Sequence, residues 1–125
     1  MAAEAHKFRL QYFRTDSGRE PVAEWLDNRP VRLRAKLFWL LKRLAESGFS
    51  LGPPWLAKLD DEVWEARLKY AGTFSRILFY QASEGALVLL LAFSKKTNKT
   101  PGSKLQTARR RMMMDWSRRG SKEAS

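Results

Sequence analysis

Three apolar stretches joined by very short turns constrain this chain most. Val63 to Tyr70, Phe74 to Gln81 and Ala86 to Phe93 are rich in aliphatic and aromatic residues, with Gly72 and Ser83-Glu84-Gly85 between them. A parallel pair of strands needs a long crossover, whereas a tight turn can only join antiparallel neighbours. An antiparallel meander is therefore expected. Directly opposed residues share a sheet face. Setting Ile77 and Phe79 with Leu89, Leu91 and Phe93 makes one packed face and leaves Arg76, Ala92 and Ser94 on the other. Arg67 then falls near Arg76 across the first hairpin, with Lys96 further along the same face. A one-residue slip would reverse the third strand's contribution.

The flanking segments supply the remaining layers. Lys7 to Arg14 alternates, with Phe8, Leu10 and Tyr12 opposite Arg9 and Gln11, as a strand does. Thr15-Asp16-Ser17-Gly18 closes it as a turn. Glu20 to Asn28 reads as a short helix with Pro21 in its first turn and Val22, Trp25 and Leu26 on its apolar face. After Pro30, Leu33, Leu37, Leu40, Leu41 and Leu44 recur at spacings of three and four. That period marks a helix over Val31 to Ser47 burying one face, with Gly48 as its stop. Phe49 to Pro54 is expected to be irregular, because Gly52-Pro53-Pro54 resists both regular structures. Ser103 to Arg118 reads as a terminal helix and Gly120 to Ser125 as a frayed tail.

The expected fold is α+β: strand, helix, helix, three-stranded antiparallel meander, helix. One domain spans 1–125, ordered over about 7–118. Its helices are expected on one face of the sheet, leaving a basic, partly open face opposite. Trp25, Trp39 and Trp64 are expected in the core. Trp55 either anchors the proline-rich loop or stacks on a base. Met112 to Met114 and Trp116 pack the last helix on the sheet or meet a partner protein.

Charge narrows the function. The chain carries 24 Lys and Arg against 13 Asp and Glu, a formal charge of +11. A small domain so charged attracts polyanions. The basic residues gather late, at Lys95, Lys96 and Lys99, then Arg109-Arg110-Arg111 and Arg118-Arg119. Nucleic acid is the favoured polyanion, since a membrane surface would ask for an apolar stripe opposite the basic one. No apolar run approaches the roughly 20 residues of a membrane span. Met1 to Lys7 lacks the apolar region of a signal peptide, so a cytoplasmic location is the default. With no cysteine and only His6, the chain offers no thiol nucleophile and no Cys- or His-rich metal site. Asp60-Asp61-Glu62 reads as the solvated turn before a strand rather than as a metal site. No cofactor motif is present.

The motifs that remain resemble a known family. Lys58-Leu59-Asp60-Asp61-Glu62-Val63-Trp64-Glu65-Ala66-Arg67 is similar to the K-x-L-x-x-x-x-W/Y-E-L-R pattern of phage-derived HigB-like toxins, a branch of the RelE/ParE toxin superfamily. Ser75 to Tyr80 resembles the R-I-x-Y strand of that branch. Ala92 to Pro101 resembles its F-x-K-K-T-x-K-T-P signature. Glu20-Pro21-Val22 and Leu51-Gly52-Pro53-Pro54 are also familial, and the resemblance covers about residues 7 to 115. It implies a RelE-like fold, ribosome-dependent cleavage of messenger RNA, and neutralisation by a helix-turn-helix, HigA-like antitoxin. By matching motifs it implies catalytic roles for Arg67, Arg76 and Lys96, with Lys58 and Lys95 as neighbours on the RNA. The sequence departs from the pattern twice: Leu91 stands where a histidine is frequent, and no tyrosine follows Tyr80.

The residues themselves suit such chemistry. RNA carries its own nucleophile, the 2′-hydroxyl, so an enzyme need only align it, take its proton and stabilise charge on the phosphate. Arginine suits the last task through its planar, bidentate fork. A lysine among other cations gives up its proton more readily and can serve as a base, which points to Lys96; Glu65 is the alternative base. Lys99, Arg109, Arg110 and Arg111 are expected on the RNA. The rival functions are a ParE-like toxin acting on DNA gyrase and a relative that binds nucleic acid without cutting.

Overall fold

The computed structural model describes residues 7–124, with side chains through Gly120. His6 and nearly all of the stretch read for a signal peptide, 1–6, lie outside the described residues. The elements are β1 (Arg9–Tyr12), α1 (Pro21–Asp27), α2 (Val31–Ser47), a 3-10 turn (Gly48–Leu51), β2 (Leu56–Lys58), β3 (Trp64–Tyr70), β4 (Thr73–Ser83), β5 (Ala86–Lys95) and α3 (Gly102–Ala124). They form an α+β fold around one sheet ordered β1-β5-β4-β3-β2. The meander β3-β4-β5 is antiparallel, as its short turns require. The sheet as a whole is mixed, because β1 runs parallel to β5. Among the described residues no helix is long and apolar enough to cross a membrane.

Local chemistry sets the boundaries. The β3–β4 turn is two residues, Ala71 and Gly72, with φ of 52° and 77°. Two successive left-handed residues match the right-handed twist of a hairpin, and Gly72 takes that conformation freely. Gly48 ends α2 at φ 56°, and a Cβ there would lie 2.0 Å from the Phe8 ring, so only glycine fits. The strand β2 was not expected. It is three residues long, too short to show a period, and forms a hairpin with β3 around Asp60. The Asp60 carboxylate accepts the amides of Glu62 at 3.0 Å and Val63 at 2.7 Å, which is why this acidic run is a turn.

Helices cover both faces of the sheet, not one. On the first face Ala66, Ile77, Phe79, Leu87 and Leu89 pack with Val22 and Leu26 of α1 and Leu37, Leu40, Leu41 and Leu44 of α2. Each such leucine withdrawn from water contributes roughly 1.5–3 kcal/mol. On the second face Phe13, Val63, Leu78, Tyr80, Val88, Leu90 and Phe93 pack with Ala108 and Met112 of α3. Leu78, Tyr80, Val88 and Leu90 share this face by strand parity, and a bulge adds to it. Phe79 pairs with Leu89, but its neighbour Leu78 pairs with Leu91, so β5 holds one extra residue there. Beyond it the parity reverses: Ala92 joins Ile77, and Phe93 opposes Arg76. Leu91 and Phe93 thus leave the face they were expected to fill and supply apolar contacts for α3. Trp25 and Trp64 pack against the first core, whereas Trp39 lies 43 % exposed on the flank of α2 against Trp55.

The terminal helix also runs further than expected, to Ala124 rather than Arg118. Its last turns are tied to the sheet and to β1. Tyr80 donates to Asp115 at 2.5 Å, Arg119 bonds Asp115 at 2.7 Å and reaches the Gln11 side-chain oxygen, and Arg118 pairs with Asp16 at 2.6 Å. Burial, then the bond to Asp115, pushes the Tyr80 hydroxyl well above its ordinary range, so it stays a donor.

Candidate functional site

Arg67 and Arg76 are direct cross-strand partners, as the hairpin pattern predicted. Two guanidinium groups so placed repel, and the counter-charge comes from Glu65. Two residues before Arg67, it lies on the same strand face. Its Oε1 is 3.0 Å from Arg67 Nε, and its Oε2 is 3.9 Å from Arg76 Nη1. Glu65 and Arg76 are buried, at 1 % and 0 % exposure, while the Arg67 side chain retains 29 %. With two cations on one carboxylate, the cluster keeps a net positive charge.

The loop between β5 and α3 folds over this cluster and is tied to it by four hydrogen bonds. Arg76 donates to Thr100 Oγ1 at 2.8 Å and to the Thr97 carbonyl at 2.6 Å. The Thr100 hydroxyl in turn donates to the Glu65 carboxylate. Arg67 donates to Asn98 Oδ1 at 3.3 Å. The threonines of the signature run therefore serve as the latch that encloses Arg76. Burial lowers the Arg76 pKa; Glu65 pulls it back up and Arg67 pushes it further down. Both arginines keep a buried Nε–H with no hydrogen-bond acceptor. For Arg67 the Glu65 oxygen is close enough to form an ion pair but lies off the N–H axis, so the contact is electrostatic rather than a directed bond. Buried donors without acceptors are uncommon, and here two belong to one arginine pair.

Arg76 therefore does not stand on an open face, contrary to the expectation. The bulge in β5 brought Phe93 opposite it, and the signature loop sealed it. Arg67 is the member of the pair that reaches solvent. It opens into a cleft of about 430 Å³ shared with Pro54, Trp55, Leu68, Lys69, Phe74 and Asn98. Lys69 and Phe74 oppose each other across the hairpin, on the face of Arg67. They, with Thr97, Asn98 and Thr100, were missed as site residues. The register that paired Arg67 with Arg76 already placed Lys69 and Phe74 one step further along the same face.

The other basic residues divide. Lys96 lies beyond the end of β5, exposed, and it is Lys95 that pairs with Phe74 on the Arg76 face. Lys99 is exposed in the signature loop, and Lys58 is exposed at the end of β2 with its Nζ 6.0 Å from the Trp64 ring. The run Arg109 to Arg111 does not form one patch, because successive helix residues point about 100° apart. Arg109 pairs with Asp60 at 3.2 Å, and Arg110 is exposed. Arg111 donates to the Leu90 carbonyl at 2.8 Å and lies 5.7 Å over the Phe13 ring. Burial, then Arg110, lowers its pKa.

A family model described as phage derived protein Gp49-like (DUF891) matches residues 24–113. That span contains Glu65, Arg67, Arg76, the latch threonines and every residue of the Arg67 cleft. No curated protein matches the chain.

Proposed function

From the premise that the chain belongs to the Gp49-like phage-derived family, we propose that it is a RelE-like toxin that cuts messenger RNA on the ribosome. The observation that carries this reading is the Arg67–Arg76 pair, held by Glu65 and by the latch, with Arg67 alone reaching a basic cleft. In this reading Arg67 binds the scissile phosphate through its fork. Arg76 and Glu65 position it: the buried carboxylate fixes the guanidinium, and the second cation keeps the carboxylate from cancelling its charge. The 2′-hydroxyl of the preceding nucleotide attacks the phosphorus and the P–O5′ bond breaks. The leaving 5′-oxygen takes a proton from water, the products are a cyclic phosphate and a 5′-hydroxyl, and no metal is needed to generate the nucleophile. Proton removal is proposed for a lysine of the signature run, Lys95 on the Arg76 face or Lys96 just beyond the strand end. A helix-turn-helix antitoxin, HigA-like, is the proposed partner, and the cytoplasm the proposed location.

The test is cleavage of ribosome-bound message under single-turnover conditions. Removing a donor aimed at developing phosphate charge costs roughly 10²–10³ in rate, so Arg67→Ala is expected to fall by that factor. Lys95→Arg and Lys96→Arg keep the charge but cannot release a proton, and the one that replaces the base is expected to cut poorly while binding normally. Full cleavage by a well-folded Arg67→Ala variant would remove the assignment.

One observation favours a second reading, a relative that binds RNA without cutting. Glu65, the alternative base, is 1 % exposed and already engaged by Thr100 and Arg67. Salt-sensitive binding to ribosomes with intact message would select that reading.

A further inference from the structure

The outer edge of β3 is only partly covered. Strand β2 pairs with β3 as far as Leu56 opposite Ala66, and the Arg67 amide then donates to the Trp55 carbonyl at 2.7 Å. Beyond that, Leu68, Lys69 and Tyr70 have no strand beside them on this side. Two clefts flank this short edge. One is the Arg67 cleft, with Trp55 in its wall. The second, also about 430 Å³, is lined by Ala35, Lys36, Trp39, Leu68 and Lys69. The clefts share Leu68 and Lys69, and their tryptophans meet edge to face, ring centres 6.0 Å apart and planes at 66°.

We propose that this edge is the track of the single-stranded RNA, with one base beside Trp55 and the next beside Trp39, and Lys69 on the phosphate between them. The proposal deepens the RNA reading above and rests on it. Three features support it. First, Lys36, Arg67 and Lys69 are the charged residues lining the clefts, and no described carboxylate lines either one. Second, a large aromatic ring stands in each cleft, and a basic groove interleaved with aromatic platforms is how proteins hold single strands without reading their sequence. Third, the track ends at Arg67, so a strand lying in it delivers its phosphate to the one arginine of the pair that reaches solvent. An added peptide strand fits less well: the open edge is three residues, Leu68 to Tyr70, against about five or six in a typical strand.

The experiment uses the full chain and a fluorescein-labelled 2′-O-methyl oligouridylate, whose blocked hydroxyl prevents cleavage. Trp39 suits substitution because it is half-exposed, whereas Trp55 packs against the first core. Trp39→Leu is expected to weaken binding roughly 5- to 150-fold, the range that base–aromatic stacking gives, and Trp39→Phe to restore most of it. Lys69→Ala is expected to reduce the slope of log affinity against log salt by about 0.7, the loss of one single-strand phosphate contact. Unchanged binding by folded Trp39→Leu and Lys69→Ala variants would overturn the track, whether or not the protein cuts. Binding that depends on Trp39, from a chain that leaves ribosome-bound message intact, would keep the track and remove the cleavage reading. A polyglutamate peptide whose binding depends on Trp39 while the oligouridylate's does not would assign the edge to an acidic protein segment and overturn the proposal.

Discussion

The two faces of the sheet are closed by different forces. Under α1 and α2 the closure is hydrocarbon on hydrocarbon, from Val22 through Leu44 to Phe79 and Leu89. Under α3 the apolar packing stops near Phe93, and the rest of that face is the Glu65–Arg67–Arg76 cluster beneath the signature loop. On the first face a truncation leaves a void. On the second it leaves a charge or a donor without its partner. The energetic consequences differ in kind, and so does what a repair must supply.

The largest expected effect is on the charged face. Glu65→Leu leaves two guanidinium groups without their anion, one of them fully buried. Breaking a buried pair by removing one partner typically costs about 3–5 kcal/mol. Replacing both partners by apolar groups is often near neutral, so Glu65→Leu with Arg76→Met is expected to recover most of the loss. Denaturant midpoints of the two singles and the double decide it. A mild single, or a double worse than both singles, would mean the cluster is not closed as described. The same burial predicts that Arg76→Ala unfolds the protein more than it disables a folded one, so Arg67→Ala is the cleaner probe of chemistry.

On the hydrocarbon face Leu40→Ala is expected to cost about 2–5 kcal/mol through its lost burial and the cavity left behind. Leu40 packs from α2 onto the first sheet face, while Glu65 lies on the opposite one, so the two losses should add. Additivity failing by more than about 0.5 kcal/mol would show that the faces are coupled through the sheet.

The same contrast explains what could be read from the residues alone. The pairing of Arg67 with Arg76 was legible because a two-residue turn at Ala71-Gly72 leaves one register, and register fixes the face. The apolar faces of α1 and α2 were legible from spacing. The reversal in β5 was not: Leu87 to Leu91 is apolar at every position, so nothing in the alternation says where the extra residue goes. From that followed the wrong placement of Leu91 and Phe93; the apolar second face that α3 covers, Leu78 and Tyr80 with Val88 and Leu90, was legible from parity and contradicted the expectation of an open one. The burial of Glu65 was partly legible, since it shares parity with Arg67. Its loop partner, Thr100, is 35 residues away, and only the folded loop supplies that.

The latch itself is the next test of the charged face. Thr100→Val keeps the shape but removes a hydroxyl that accepts from Arg76 and donates to Glu65. An unsatisfied buried partner costs about 1–3 kcal/mol, so the melting temperature should fall by less than with Glu65→Leu. Cleavage should fall further than stability, because the loop also positions Asn98 against Arg67. Equal, small changes in both would make the latch a structural tie alone.

The smallest expected effects separate two neighbours on α3. Arg110 is exposed with no ion pair among the described residues, and Arg110→Ala should change stability by no more than about 0.5 kcal/mol. Arg111 donates to the Leu90 carbonyl at the bulge and covers the Phe13 ring, so Arg111→Ala strips a charged donor from a buried acceptor and is expected to cost about 1.5–3 kcal/mol. Their effects on RNA should run the other way. Arg110 is free to meet a phosphate, and its loss should lower the salt slope of ribosome binding, while Arg111→Lys, which keeps charge and tie, should leave that slope unchanged. A salt slope that answers to Arg111 and not to Arg110 would place the RNA on the inner side of α3, which the contact with Leu90 does not allow without the helix lifting from the sheet. Parallel melts would then reveal the lifted helix as a loss of cooperativity on the α3 face, with the α1–α2 face unchanged.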